Sequence, residues 1–241
     1  MNRREWFGAA ALLAASGCAR FAKRPPTPAA DIPAVGLDTA PPGEHYYIIV
    51  FGSQSTPKLP RFTHSWATVA HAVDDADGTP RLKDHHTISW LPASLKIQPL
   101  YLRPVKPVNL GLHETIEYVQ GNGERVSEWG PYECLPRIYI RFKVQKEFLE
   151  TYTIGYQAID TVGESARTGD GCDCIHAITD MDPLYSRSRY PLSWVGDSAS
   201  KRMVQRLNEG RTLYHPDQPD DWLDGALGLD RYRIVHRPSP G

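Results

Sequence analysis

The run Tyr46-Tyr47-Ile48-Ile49-Val50-Phe51, closed by Gly52, restricts the fold more than any other part of the chain. Six consecutive β-branched and aromatic residues ended by glycine read as a well-buried strand, not as one stripe of a surface helix. Residues 64–73 predict a second strand, stopped by the polar turn Asp74-Asp75-Ala76-Asp77-Gly78. Residues 82–91 predict a third, ended by Pro92, so 64–91 reads as a β-hairpin with its loop at the Asp-Gly pair. Further on, 137–144 reads as strand running into a helix at 143–153, 154–162 as strand, and 163–171 as a polar loop. Residues 174–182 read as a short helix with Asp173 as N-cap and Pro183 just beyond it. Residues 198–209 read as a helix capped by Asp197 or Ser198 and closed by Gly210, and the Asp-, Pro- and Gly-rich tail beyond Leu213 gives no element. Strands and helices without regular βα alternation predict an α+β fold.

The chain has 241 residues, 41% hydrophobic and 23% charged, enough for one domain with a real core despite 21 prolines and 19 glycines. Lys and Arg number 27 against 28 Asp and Glu, and no block of the chain is strongly basic. A protein that tracks nucleic-acid phosphates needs excess positive charge, so nucleic acid is excluded as a partner. Internal repeats and heptads are absent, which removes solenoids and coiled coils.

The beginning of the chain reads as an address. Arg3 and Arg4 precede an apolar run, 6–17, that ends in small residues, the pattern of a signal peptide over 1–17. The run is shorter than the roughly 20 residues that span a bilayer. Ala15-Ser16-Gly17-Cys18 resembles the lipobox of bacterial lipoproteins, which implies that Cys18 becomes the lipidated first residue of the mature protein. The expected location is outside the cytoplasmic membrane, on its periplasmic or extracellular side, with the membrane as partner through Cys18. Residues 18–43 are rich in Pro and Ala and read as an extended tether, leaving 44–241 as the working domain.

Chemistry concentrates at Gly171-Cys172-Asp173-Cys174-Ile175-His176. A thiol in the first turn of a helix faces unpaired N–H groups and the positive end of the helix dipole, both of which favour thiolate. An imidazole to take its proton, and a polar group to orient that imidazole, would make Cys174 a nucleophile. His64 opens the first strand of the hairpin, and His85-His86 lies on the second. By strand parity His64 shares a face with Trp66 and Thr68, and His86 with Ile88 and Trp90, while a one-residue slip would exchange His86 for His85. His176 would turn away from Cys174 by about 200 degrees and reads as a packing or surface histidine. Three cysteines follow Cys18, so pairing of Cys134 with Cys172 would leave Cys174 as a thiol, and a purely structural bridge is the competing reading. The alternation Cys172, Cys174, His176 touches on zinc but lacks the spacing of a zinc site. Glu114 and Glu117 have helical spacing but no nearby partner of matching role, so a two-carboxylate glycosidase is not supported.

Histidine on one strand, a polar residue on the next, and Asp173-Cys174-Ile175-His176 far downstream at a helix start resemble the circularly permuted papain-like superfamily. That group includes bacterial cell-wall amidopeptidase relatives and lecithin:retinol acyltransferase-like proteins, in which histidine precedes cysteine. The resemblance covers about 45–182, with Asp173 where the family often has Asn. It implies a papain-like antiparallel sheet packed against the cysteine helix, with Cys174 as nucleophile, His64 as general base and His86 as orienting residue. It also implies a cysteine-dependent hydrolase or acyltransferase without cofactor or metal, acting on an amide or ester of a peptide, peptidoglycan or acyl substrate. The alternative is a non-catalytic envelope lipoprotein that keeps the fold as a binding or structural module.

Overall fold

The computed structural model describes residues 28–33, 36–182 and 195–240. The signal peptide, Cys18 and Pro183 therefore lie outside the described residues. The fold is α+β, built on a five-stranded sheet of order β3-β2-β1-β6-β9. Its strands are β1 (Glu44–Gln54), β2 (Thr63–Asp74), β3 (Pro80–Ile88), β6 (Arg125–Glu133) and β9 (Ile234–Arg237). All neighbours are antiparallel except β6 and β9, which run parallel, so the sheet is mixed. Strands β4 (Trp90–Pro92) and β5 (Pro107–Asn109) form a small antiparallel pair, and β7 (Gly155–Tyr156) and β8 (Gly171–Cys172) a parallel one.

The run at 46–51 is continuously apolar because both faces of β1 are covered. Ile48 and Val50 join Ala67 and Val69 in one core, under helices α2 (Pro136–Glu150), α4 (Cys174–Thr179) and α5 (Asp197–Glu209). Tyr47, Ile49 and Phe51 join Trp66 and Ala70 in the other, under α1 (Leu112–Gly121) and α6 (Trp222–Ala226). A sixth helix, α3 (Gly163–Thr168), lies between β7 and β8. Strand β3 closes the sheet edge and alternates between partly buried and exposed positions until Thr87.

Several expectations change. Residues 137–144 are helical from the start, because Pro136 occupies the first turn, where a missing N–H costs nothing, and Ile138, Phe142 and Leu149 share the buried face. The strand expected at 154–162 shrinks to the two residues of β7, and the expected loop at 163–171 holds α3. The tail beyond Leu213 supplies α6 and β9. Residues 28–33 pack onto α2: Ala29 is fully buried, and the Arg141 guanidinium donates to the Ile32 carbonyl at 2.6 Å. Packing thus extends N-terminally of Glu44 into the segment expected as tether.

The helix N-terminus nearest β1 closes onto a glycine. A Cβ on Gly52 would stand 2.9 Å from Ser200 Oγ and 3.0 Å from the Asp197 nitrogen. Ser200 Oγ donates to the Phe51 carbonyl at 2.6 Å and lies 3.0 Å from Ser65 Oγ. This contact pins α5 across the end of β1 and the start of β2.

Candidate active site

Helix α4 delivers Cys174 as its first residue, as the sequence leads one to expect. Asp173 is the N-cap, accepting the N–H groups of Ile175 at 2.9 Å and His176 at 2.7 Å. Gln145 of α2 donates to the Ala177 carbonyl at 3.1 Å, which fixes the helix laterally. With two first-turn amides taken by Asp173, the Cys174 thiol sees its own N–H and that of Ser65 on β2. Burial, followed by the Asp173 charge, pushes the thiol up to about 12, against the helix-end effect. Asp173 therefore acts both as a cap and as a like-charge neighbour that disfavours thiolate.

The place of this thiol follows from where β3 ends. The β2–β3 register stops at Ala67↔Ile88, so residues 63–66 of β2 run on without a β3 neighbour. Ser65 of that stretch offers its N–H to Cys174, and His64 turns to Ser89, the residue between β3 and β4. His64 Nε2 lies 2.9 Å from Ser89 Oγ. Ser89 is fully buried and held by its backbone: its N–H donates to Asn109 Oδ1 at 2.7 Å, and its carbonyl accepts from Leu110 at 3.1 Å. The imidazole stacks on Trp66 at 5.6 Å between ring centroids, and Trp66 stacks on Phe51 at 5.2 Å. His64 Nδ1 is buried with no hydrogen-bond partner. Burial alone holds His64 neutral, pushing it down to about 3.

His86, expected as the orienting residue, is not the group that holds His64. It pairs across the sheet with Val69, five positions along β2, so alternation puts it on the opposite face from His64. Its neighbours are Asp84, 3.5 Å away, and the Tyr139 ring at 5.8 Å. His85 pairs with Ala70 and is likewise remote along the strand. The physical reason is the register: a histidine level with His64 on the neighbouring strand would have to lie beyond Ile88, where the chain has already left the sheet.

His176 is a buried histidine, not a surface one, and it is held by an ion pair. Its Nδ1 lies 3.0 Å from Asp160 Oδ1 and 3.1 Å from Asp173 Oδ2, all three side chains being buried. Burial lowers the imidazole, but the Asp173 and Asp160 carboxylates outweigh it and raise the group well above its ordinary value. The signal was present in the sequence: Asp-x-x-His across a helix start is the spacing of a capping box, with the third helical residue reaching back to the cap. Cys172 donates its thiol to the Asp173 carbonyl at 3.3 Å, and no disulfide joins it to Cys134. Cys172 and His176 thus both turn to Asp173, the one to its carbonyl and the other to its carboxylate.

Comparisons with protein-family models, with curated proteins and with solved structures gave no match to this chain.

Proposed function

We propose that this chain is a cysteine-dependent hydrolase or acyltransferase of the permuted papain-like kind, with Cys174 as nucleophile, His64 as general base and Ser89 as the group that orients His64. The observation that carries the reading is that a helix-start thiol and a neutral imidazole both lie at the start of β2, the thiol on the α4 side of the sheet and the imidazole on the Trp66 side. Cys174 sits on the N–H next to His64 in the chain, and His64 is gripped at Nε2 while its Nδ1 has no partner. In the tautomer that donates Nε2–H to Ser89, the Nδ1 lone pair is the base. Catalysis asks His64 to turn past the edge that β3 has left; its Nδ1 then takes the thiol proton as sulfur bonds to the carbonyl carbon of an ester or amide, the leaving group departs with that proton, and water or an amine resolves the thioester. The Cys174 N–H is the donor available to the developing oxyanion. A cleft of 60 Å³ lined by Tyr101, Arg103, Val105, Tyr156 and Gln157 shares Tyr156 with the surroundings of Cys174. That cleft is the proposed approach for an acyl chain or peptide.

The same proposal carries export and anchorage through Cys18, which would place the domain at the cell envelope among peptidoglycan stem peptides and lipid acyl groups. Among the described residues no helix is long and apolar enough to cross a membrane. Purified full-length chain incubated with peptidoglycan fragments and with acyl esters tests the activity. Turnover that disappears in Cys174→Ala supports it, and turnover unchanged in that variant removes it.

A non-catalytic binding module is favoured by one observation: burial keeps both the thiol and the imidazole uncharged at rest. Under that reading Cys174 is an inert, half-buried thiol, and neither substrate class is consumed.

A further inference from the structure

On the opposite face of the sheet from α4, we infer that Glu128, Asp224 and His236 form a binding site for one divalent cation of the zinc class. The residues are far apart in the chain and are assembled by three elements. Glu128 of β6 and His236 of β9 are register partners in the one parallel pair of the main sheet, and Asp224 comes down from α6. Glu128 is also cross-strand from Phe51, which places it on the α1 and α6 side.

The arrangement is built like a ligand set. His236 Nδ1 lies 3.7 Å from Asp224 Oδ2 and 4.0 Å from Glu128 Oε1, and one donor atom from each residue lies within 4.8 Å of the others. A tetrahedral ion with bonds of about 2.1 Å spaces its ligands about 3.4 Å apart, so closing on an ion asks for shifts of a few tenths of an ångström. The exposed ring of His236 can make that shift: its side chain is 61% exposed, against 0% for Glu128.

An independent sign comes from the buried carboxylate. Glu128 is completely enclosed, yet neither of its oxygens receives an N–H or O–H, and Asp224 Oδ1 is also without a donor. Two carboxylates so enclosed are costly unless a proton or a cation stands between them. A cation there neutralises both, and the imidazole completes the set. One nitrogen and two carboxylate oxygens suit zinc and its neighbours in the transition series, whereas calcium takes six to eight oxygens and magnesium an octahedron of oxygens and water. With His236 at the surface, the remaining coordination position is open to water. Bound there, the ion would clip β9 and α6 to β6, fastening the C-terminal part of the chain to the sheet.

Full-length protein stripped with a chelator and titrated with Zn2+ by calorimetry tests the site, with Co2+ absorption reporting the ligand geometry. Expected are one equivalent of zinc in the parent and in Cys174→Ala, and affinity weakened by more than about tenfold in Glu128→Gln, Asp224→Asn and His236→Gln. Zinc should raise the melting temperature of the parent and leave that of His236→Gln unmoved. Because His236 is exposed, this variant keeps its fold, and its far-ultraviolet circular dichroism should match the parent. No zinc uptake, uptake that survives both Glu128→Gln and His236→Gln, or an equal rise in melting temperature with Mg2+ or Ca2+ would overturn the assignment. The first of these outcomes would leave Glu128 and Asp224 sharing a proton instead of an ion.

Discussion

His64 and Ser89 meet at 2.9 Å, Nε2 to Oγ, across the point where β3 leaves the sheet, and this contact leaves the other imidazole nitrogen buried without a partner. If it orients a general base, Ser89→Ala lowers turnover by about tenfold or more. His86→Gln leaves turnover unchanged, since His86 pairs with Val69, five positions along β2 from His64. The same Ser89→Ala change strips a buried imidazole of its one hydrogen bond and should cost about 1–3 kcal/mol of stability. Steady-state rates and urea unfolding on the three proteins separate these effects. Equal losses of turnover in Ser89→Ala and His86→Gln would contradict the assignment.

The burial of His64 makes a prediction about acid stability that is independent of any activity. Its pKa falls from 6.5 unfolded to about 3 folded, through desolvation. Above pH 6.5 the imidazole is neutral in both states and nothing is lost. Below it the unfolded chain takes up a proton that the folded chain refuses, so stability declines from pH 6.5 down to about 3. At pH 4 the loss from this group is roughly 3 kcal/mol. Unfolding of the parent and His64→Gln between pH 8 and 4 measures it, because other titrating groups cancel in the difference. A difference that does not vary with pH would show that His64 is solvated.

Asp173 caps α4 and also raises the Cys174 thiol. Asparagine is an equally good cap but carries no charge. Asp173→Asn should therefore keep the helix while lowering the thiol pKa, and alkylation of Cys174 at pH 9 should quicken several-fold. In the parent, the alkylation rate should go on rising past pH 9 without a plateau. A plateau below pH 7 in the parent would mean that the thiol is already ionised at rest.

Gly52 is the narrow point between β1 and α5. Gly52→Ala brings a methyl to 2.9 Å from Ser200 Oγ and 3.0 Å from the Asp197 backbone nitrogen. The helix start must shift, at a cost of about 1–3 kcal/mol. Chemical denaturation reads the cost, and wild-type stability in Gly52→Ala would show that the α5 start can yield freely.

Features governed by local sequence were legible before the structure. The strand at 46–51 and the hairpin after it announce themselves by composition and by the Asp77-Gly78 turn. The α4 start is written in Asp173 and Cys174. The start of the helix Pro136–Glu150 is ambiguous locally because Ile138, Tyr139 and Ile140 also look like a strand, and only the spacing of Phe142, Gln145 and Leu149 on the buried face decides it. Strand β9 escaped because its residues are half exposed and its pairing with β6 spans more than a hundred positions. Within the candidate site, Cys174 and His64 could be picked out by type, but Ser89 could not. Its role depends on the residue at which β3 ends, a register property that neither propensity nor periodicity encodes. Asp160 was likewise invisible, since it reaches His176 only through tertiary packing.

The most direct measurement is intact-mass spectrometry of the full chain mixed with an activated acyl ester, followed by peptide mapping. Expected is a single acyl group on Cys174, absent in Cys174→Ala, formed at least about a hundredfold more slowly in His64→Gln and at the parental rate in His86→Gln. No adduct on Cys174, or one that forms equally fast without His64, would contradict a Cys174–His64 catalytic pair and leave the fold as a binding module.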